Sequence, residues 1–364
     1  MRASPLARYL FVAYALLVAY ATLYPVSGWR DSGIPAFEYL FASRPRYVSG
    51  FDLVVNVLGY VPYGWLAVLA LHPRVRGAGA FSAALVSGTA LALLLEAAQT
   101  FLPTRFASNV DVLCNLAGAA IGALLGTRSV GWLLGEGPLL RWRARDVLPG
   151  ARADAGLVLL ALWLATQLNP ASLLFGAGDL RDLFRQPAGA AYEADVFVAI
   201  EALTSACNLV AVGLTASAIL APGAPLLRTL AGLVGLALLI KAGAFATLRH
   251  AEDVLLWLTP GALIGIATGL PVLLVAAMLP RTVRLALAAV LLMGATALVN
   301  LAPANPYFAS MLAVWAQGHF LNFNGLTRLL SSLWPFAALL FLILLASRQG
   351  EAQGETPEGP SARG

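Results

Sequence analysis

The chain has 364 residues, 60% of them hydrophobic and only 11% charged, with a mean hydropathy of +0.80. A soluble domain carries about 25% charged residues, so neither a water-soluble globule nor a disordered chain fits this composition. The net charge of +5 comes almost wholly from arginines in short loops, Lys241 being the only lysine; with no continuous basic stripe, nucleic acid is not expected as a partner.

Apolar runs recur from residue 6 to residue 346, apolar on every face and of the length, about 17–25 residues, that a helix needs to cross a bilayer. Lipid offers the backbone no hydrogen-bond partners, so the runs read as helices rather than as the alternating strands of a barrel. The predicted fold class is all-α, a polytopic membrane bundle of about ten transmembrane helices. The spans fall at 6–24, 53–71, 81–101, 110–126, 156–174, 196–220, 227–248, 254–279, 285–301 and 329–346. The first follows Arg2 and Arg8 and reaches Leu23, longer than a signal-peptide core of about 7–15 residues, so it reads as an uncleaved span. Turn chemistry separates the runs at Pro25, His72-Pro73, Pro103, Pro149-Gly150, Pro222-Gly223 and Pro280. Residues 347–364 are polar and rich in Gly and Pro, and are expected to be disordered.

With the N-terminus in the cytoplasm, the inner loops and tails hold fourteen arginines and the outer loops eight, which predicts that both termini are cytoplasmic. The basic loop 127–155 contains RWRARDVLPGAR at 141–152, with Trp132 nearby, and reads as an interfacial segment against anionic headgroups. Span four, DVLCNLAGAAIGALLG from Asp111, matches span eight, DVLLWLTPGALIGIATG from Asp253, after a one-residue insertion. That match suggests a parallel 4+4+2 repeat. The blocks are residues 1–126 (spans one to four), 127–155 (the basic loop), 156–280 (a degenerate second block), 281–346 (two closing spans) and the tail. Chance similarity between Ala/Leu/Gly-rich helices is the competing explanation.

Charged groups at bilayer depth cost a few kcal/mol and mark either a partner or a function. Span two begins with Asp52 and Asn56, span three ends with Glu96 and Gln99, and span four begins with Asp111 and Asn115. Each acid–amide pair lies on one helix face, and the short loop carrying Arg105 joins two of them. Under the expected topology all three pairs converge toward the outer leaflet as a candidate polar pocket. The structural alternative is that Arg105 neutralises Glu96 or Asp111 while Asn56 and Asn115 bond across helices. Pro62 and Gly64 in span two, and the Gly118/Gly122 step in span four, are assigned to helix packing. In the second half, Glu201 and Lys241 each lie roughly 10 Å inside the membrane and are candidates for a buried ion pair.

Cys114 and Cys207 read as small buried hydrophobes, and His72, His250 and His319 as loop or interface residues. No P-loop, HExxH, GxSxG or metal-spaced Cys/His set is present, so no catalytic residue, metal or cofactor is assigned.

Residues 52–126 resemble the VanZ-like family of bacterial membrane proteins, through Asp52, Asn56, Pro62 and Gly64, then Glu96 and Gln99, then Pro103, Arg105, Asp111, Asn115, Gly118 and Gly122. With the Thr22-Leu23-Tyr24-Pro25 end of span one, the resemblance covers about residues 22–126. It implies a multi-pass protein of the bacterial inner membrane and an association with resistance to teicoplanin-type glycopeptides, and it assigns no catalytic residues. Expected partners are membrane lipids and a lipid-linked or headgroup ligand at the outer face. The rival functions are a small-molecule or lipid transporter or flippase, and an intramembrane acid–base enzyme using Glu96 or Asp111. Oligomeric state is not legible.

Overall fold

The computed structural model describes residues 4–31, 33–43, 49–135, 137–181, 194–248, 254–302 and 321–354. Several loop residues weighed above, including Arg44, Arg46, Arg185, Arg249, His250, Asp253 and His319, lie outside them, as do residues 355–364 of the expected tail. The described chain forms an all-α bundle. Its helices are α1 (Pro5–Leu23), α2 (Gly50–Leu71), α3 (Gly77–Gln99), α4 (Asn109–Val130), α5 (Pro138–Asp146), α6 (Ala151–Thr166), α7 (Ala194–Ala218), α8 (Leu226–Leu248), α9 (Pro260–Ala276), α10 (Arg281–Leu301) and α11 (Leu321–Gly354).

Helix starts follow from local capping. Ser4 accepts from the Ala7 N–H ahead of Pro5, Ser49 from that of Asp52, Ser108 from those of Val110 and Asp111, and Thr259 from that of Ala262 ahead of Pro260. Each hydroxyl satisfies an N–H that the first turn leaves without an intrahelical partner, and proline loses nothing at the first position.

Among the described residues eight segments are long and apolar enough to cross a membrane: α1, α2, α3, the one that begins with α4, α7, α8, α10 and α11. The other two expected spans are shorter helices, α9 with 17 residues and α6 with 16. Span five was expected to reach residue 174, but α6 ends at Thr166. Pro170 has no N–H to continue a helix and biases Asn169 away from helical geometry. Residues 167–180 are irregular, yet Leu174, Phe175 and Ala177 are buried. Side chains satisfy this backbone: Gln167 Oε1 accepts from the Phe175 N–H, and Asn300 donates to the Gly178 carbonyl while accepting from the Leu180 N–H. Non-helical backbone is tolerated at depth only under such cover. The last helix begins at 321, earlier than expected, and continues eight residues past the expected end at 346.

The chain divides into two compact units. Unit 1 comprises Met1–Val158, Ala221–Ala224 and Val314–Leu326; unit 2 comprises Leu159–Leu220, Pro225–Ala313 and Thr327–Gly364. In unit 1, α2 and α4 run parallel and make the most extensive helix contact. A methyl group at Gly118 would overlap the Val57 carbonyl, and one at Gly122 the Val61 carbonyl; one at Gly126 would crowd Val68 and one at Gly64 the Ala119 carbonyl. Small residues let two backbones meet closely, which is the main source of affinity between helices where lipid removes the hydrophobic drive. Tyr14 donates to the Gly59 carbonyl at 2.8 Å and ties α1 to α2, while Trp65 donates to Ser129 at 2.8 Å across the α2–α4 seam. Val54, Leu58, Leu94, Leu113 and Ile121 lie exposed on the surface of this unit, an arrangement suited to lipid rather than water.

In unit 2, α7 packs on α9 and α10. Gly261, Gly265 and Gly269 of α9 sit in parallel register on Glu201, on Ala202 and Ser205, and on Ala206 and Leu209 of α7. These glycines are the ones that align with Gly118, Gly122 and Gly126 in the DVL…G match, so the aligned motif makes the same kind of contact in both units. The basic segment after α4 passes through a π-helical turn (Gly131–Gly135) into α5. There Arg143 pairs with Asp154 at 2.8 Å and Arg145 with Asp146 at 2.7 Å. Both cysteines are free thiols and half-buried.

The glycine ladder predicts an asymmetry between two equally conservative substitutions. Gly122→Ala should lower the melting temperature of the detergent-purified protein, because overpacking costs about 1–3 kcal/mol. Gly235→Ala, with nothing near its added methyl, should leave the temperature unchanged or raise it through helix propensity. Equal melting of the two variants would contradict the ladder.

Candidate functional site

The C-terminal ends of α1 and α3 meet the N-terminal ends of α2 and α4 at one end of unit 1. All seven candidate polar residues lie at or near this end, and the structure joins most of them across helices rather than within the sequence pairs. Asn56 Nδ2 of α2 donates to Asp111 Oδ1 of α4 at 2.9 Å. Asp52 Oδ2 accepts from the Ser49 hydroxyl at 2.6 Å, completing the cap of α2. Asp111 also lies within electrostatic range of Asp52 and of Glu96.

Glu96, only 2% exposed, accepts the Ser108 N–H at 2.9 Å. Ser108 in turn caps α4, so the carboxylate of α3 stands at the positive end of the α4 dipole and holds the residue that starts that helix. Gln99 Nε2 donates to the Thr22 carbonyl at 3.0 Å, fastening α3 to the last turn of α1. Tyr39, in the connection between α1 and α2, donates to the Leu93 carbonyl at 3.0 Å.

Arg105 does not neutralise either acid: no carboxylate of Glu96 or Asp111 lies within 4.0 Å of it. Its Nε donates to the Tyr24 carbonyl at 2.7 Å, and its Nη2 to the same carbonyl and to Asn322 Oδ1 at the start of α11. Burial lowers the guanidinium's affinity for its proton, while Glu96 and Tyr24 act the other way. Gly325 packs on the Tyr24 ring, so α1, the 100–108 loop and the first turn of α11 meet at one point. Asn115 is buried one turn below Asp111, and its Oδ1 has no partner; the buried Tyr60 hydroxyl on α2 has none either.

Sequence reasoning missed Ser108 and Asn322, and named Tyr24 only as part of the Thr22-Leu23-Tyr24-Pro25 motif. Ser108 was legible, since Ser-x-x-Asp immediately before an apolar run is a capping pattern. Asn322 was not, because 217 residues separate it from Arg105. Pro62 lies inside α2, and Gly64, Gly118 and Gly122 form the helix seam.

In unit 2 Lys241 makes no direct ion pair with Glu201. Its ammonium donates to the carbonyls of Asn169 and Ser172 at 2.8 and 2.7 Å and to the Ser172 hydroxyl at 3.1 Å. The free carbonyls of the broken segment after α6 compete for the ammonium, and three acceptors saturate its three donors. Among the described residues no three His, Cys, Asp or Glu side chains stand together in a metal-binding group.

The Asn56–Asp111 bond should act as one unit. In a double-mutant cycle of Asn56→Ala and Asp111→Ala, unfolding of the detergent-purified protein should show a coupling of about 0.5–3 kcal/mol. Strict additivity would mean that the bond contributes nothing to the joining of α2 and α4.

Residues 11–130 match the VanZ/LLP1 family model, a stretch that takes in most of α1, all of α2 and α3 and α4 to its last residue. It begins eleven residues before the resemblance read from motifs alone, and so adds most of α1. Comparison with curated proteins and with solved structures gives no significant match. Residues 11–130 are thus a VanZ-like region within a chain of several apolar helices long enough to cross a membrane.

Proposed function

We propose that this protein acts at the outer face of the bacterial inner membrane, engaging an envelope lipid headgroup or lipid-linked ligand and altering susceptibility to teicoplanin-type glycopeptides. The observation that supports the reading is the gathering of Asp52, Glu96, Arg105 and Asp111 at one end of the VanZ-like unit, beside protruding aromatic side chains. Phe41 is 90% exposed, Phe106 is 89% exposed and Trp29 stands nearby in the α1–α2 connection. Aromatic side chains collect at headgroup level, where one end of the ring is apolar and the other wet. A lipid phosphate reaching this rim meets Arg105, whose Nε and Nη2 are already held by Tyr24 and Asn322. The guanidinium is thereby fixed in orientation, and its remaining nitrogen can donate to a headgroup oxygen. The acids shape the recess and disfavour a ligand whose whole surface is anionic. The family match over residues 11–130 supports a membrane role and assigns no chemistry, so no catalytic step is proposed.

Two measurements test this. In a chain with Cys114 and Cys207 replaced by serine, Phe106→Cys should react with a membrane-impermeant thiol reagent on intact spheroplasts; protection there, with reaction only after lysis, would invert the topology. A glycopeptide-susceptible host expressing the protein should tolerate several-fold more teicoplanin. The near-isosteric variants Glu96→Gln and Asp111→Asn should be inserted equally well and lose that tolerance. Unchanged susceptibility with the inserted wild-type protein, or variants equal to it, would overturn the proposal.

A further inference from the structure

A run of buried polar side chains lies in unit 2, on α7. Glu201, Thr204, Ser205 and Asn208 are 3%, 0%, 0% and 0% exposed, and each has a buried side-chain oxygen with no hydrogen-bond partner: Glu201 Oε2, Thr204 Oγ1, Ser205 Oγ and Asn208 Oδ1. At 100° per residue the four positions fall within an arc of about 100°, and they span about 10 Å of helix. The hydroxyls further along behave differently, Thr215 bonding back to the Ala211 carbonyl and Ser217 to that of Leu214. Asn208 uses its amide nitrogen on the Thr204 carbonyl at 3.1 Å, leaving its oxygen unmatched.

Four neighbouring acceptors without donors, at bilayer depth, each cost a desolvation penalty of about 1–3 kcal/mol unless something donates to them. The charge balance selects what that is. Lys241 of α8 lies within electrostatic range of Glu201 and already offsets its charge, although its own hydrogens are spent on Asn169 and Ser172. A second cation would leave the interior with excess positive charge. A neutral molecule that donates hydrogen bonds fits, and water is the one that needs only two to four polar partners.

We propose that α7 carries an internal file of bound water, and that this file makes Glu201 a proton-exchanging site inside unit 2. The Thr259 hydroxyl at the N-cap of α9 lies near Glu201, and Gly261 leaves the space into which its carboxylate folds. Among the described residues, Lys241 from α8 is the titratable or charged group that faces it. The cations of α10, Arg281 and Arg284, bond Ala218 and Ser217 at the far end of α7, and Asp195 and Cys207 complete the titratable groups of α7 itself. In the protonation step a proton from solvent is relayed to the Glu201 carboxylate, each water of the file passing one proton on as it receives another, so that the file ends unchanged. Buried acids with such access are the groups that membrane proteins use as proton relays. This inference does not depend on the outer-face reading of unit 1.

Infrared spectroscopy of the full chain in phosphatidylcholine nanodiscs tests it. The difference spectrum between acid and alkaline buffer should contain a protonated-carboxyl band that is absent from Glu201→Gln and that shifts when the buffer is made in D2O. Thr204→Val with Ser205→Ala, which strips the file of the two hydroxyls nearest Glu201, should slow that deuterium shift at least tenfold while the band remains. If Glu201→Gln does not fold, Glu201→Asp should displace the same band. Absence of any Glu201-dependent band across the titration, or a band that ignores both D2O and the loss of those two hydroxyls, would overturn the proposal.

Discussion

The close parallel approach of α2 and α4 is the constraint on which the VanZ-like unit depends. Gly118 against the Val57 carbonyl and Gly122 against the Val61 carbonyl fix the two backbones in one register, since any side chain there would force them apart. Once that register is set, Asp111 arrives beside Asn56 and within the field of Asp52, and Asn115 is carried one turn deeper. The polar end of the unit is therefore a geometric consequence of an apolar, glycine-lined seam below it.

That end is also where four helix ends need their backbone groups satisfied, and the polar residues do much of this. Glu96 holds the Ser108 N–H, Gln99 takes the Thr22 carbonyl and Arg105 takes the Tyr24 carbonyl. In lipid an unmatched backbone group costs several kcal/mol, so these contacts rigidify the end as well as decorate it. A site built on such contacts is preorganised: Arg105 cannot swing freely toward a ligand, and the two acids are held apart from it.

Unit 2 uses the same ladder for a different interior. Gly261, Gly265 and Gly269 bring α9 onto α7 as Gly118 and its neighbours bring α4 onto α2. In unit 1 the polar groups sit mostly at the helix ends, whereas in unit 2 they run down the middle of α7 and are joined by a broken segment after Thr166. Pro170 frees the carbonyls that capture Lys241, and this diverts the ammonium from Glu201. Unit 2 has no aligned counterparts of Glu96, Gln99 and Arg105 but buries a set of polar side chains of its own on α7.

The sequence by itself determined the helical membrane class, the approximate spans, the glycine steps and the identity of the seven polar residues at one end of the family region. Each follows from short-range regularities: apolar run length, i,i+3 and i,i+4 spacing, and turn residues. The α7 face was also legible, because Glu201, Thr204, Ser205 and Asn208 keep helical spacing, although Glu201 alone drew notice. Only the tertiary structure decided which partner each polar group took. Asp111 chose Asn56 over its own neighbour Asn115, Arg105 chose a carbonyl and Asn322 over both acids, and Lys241 chose the broken segment over Glu201. Hydrogen bonds form with whatever acceptor the packing brings within about 3 Å, and that proximity belongs to the fold and not to the order of residues along the chain.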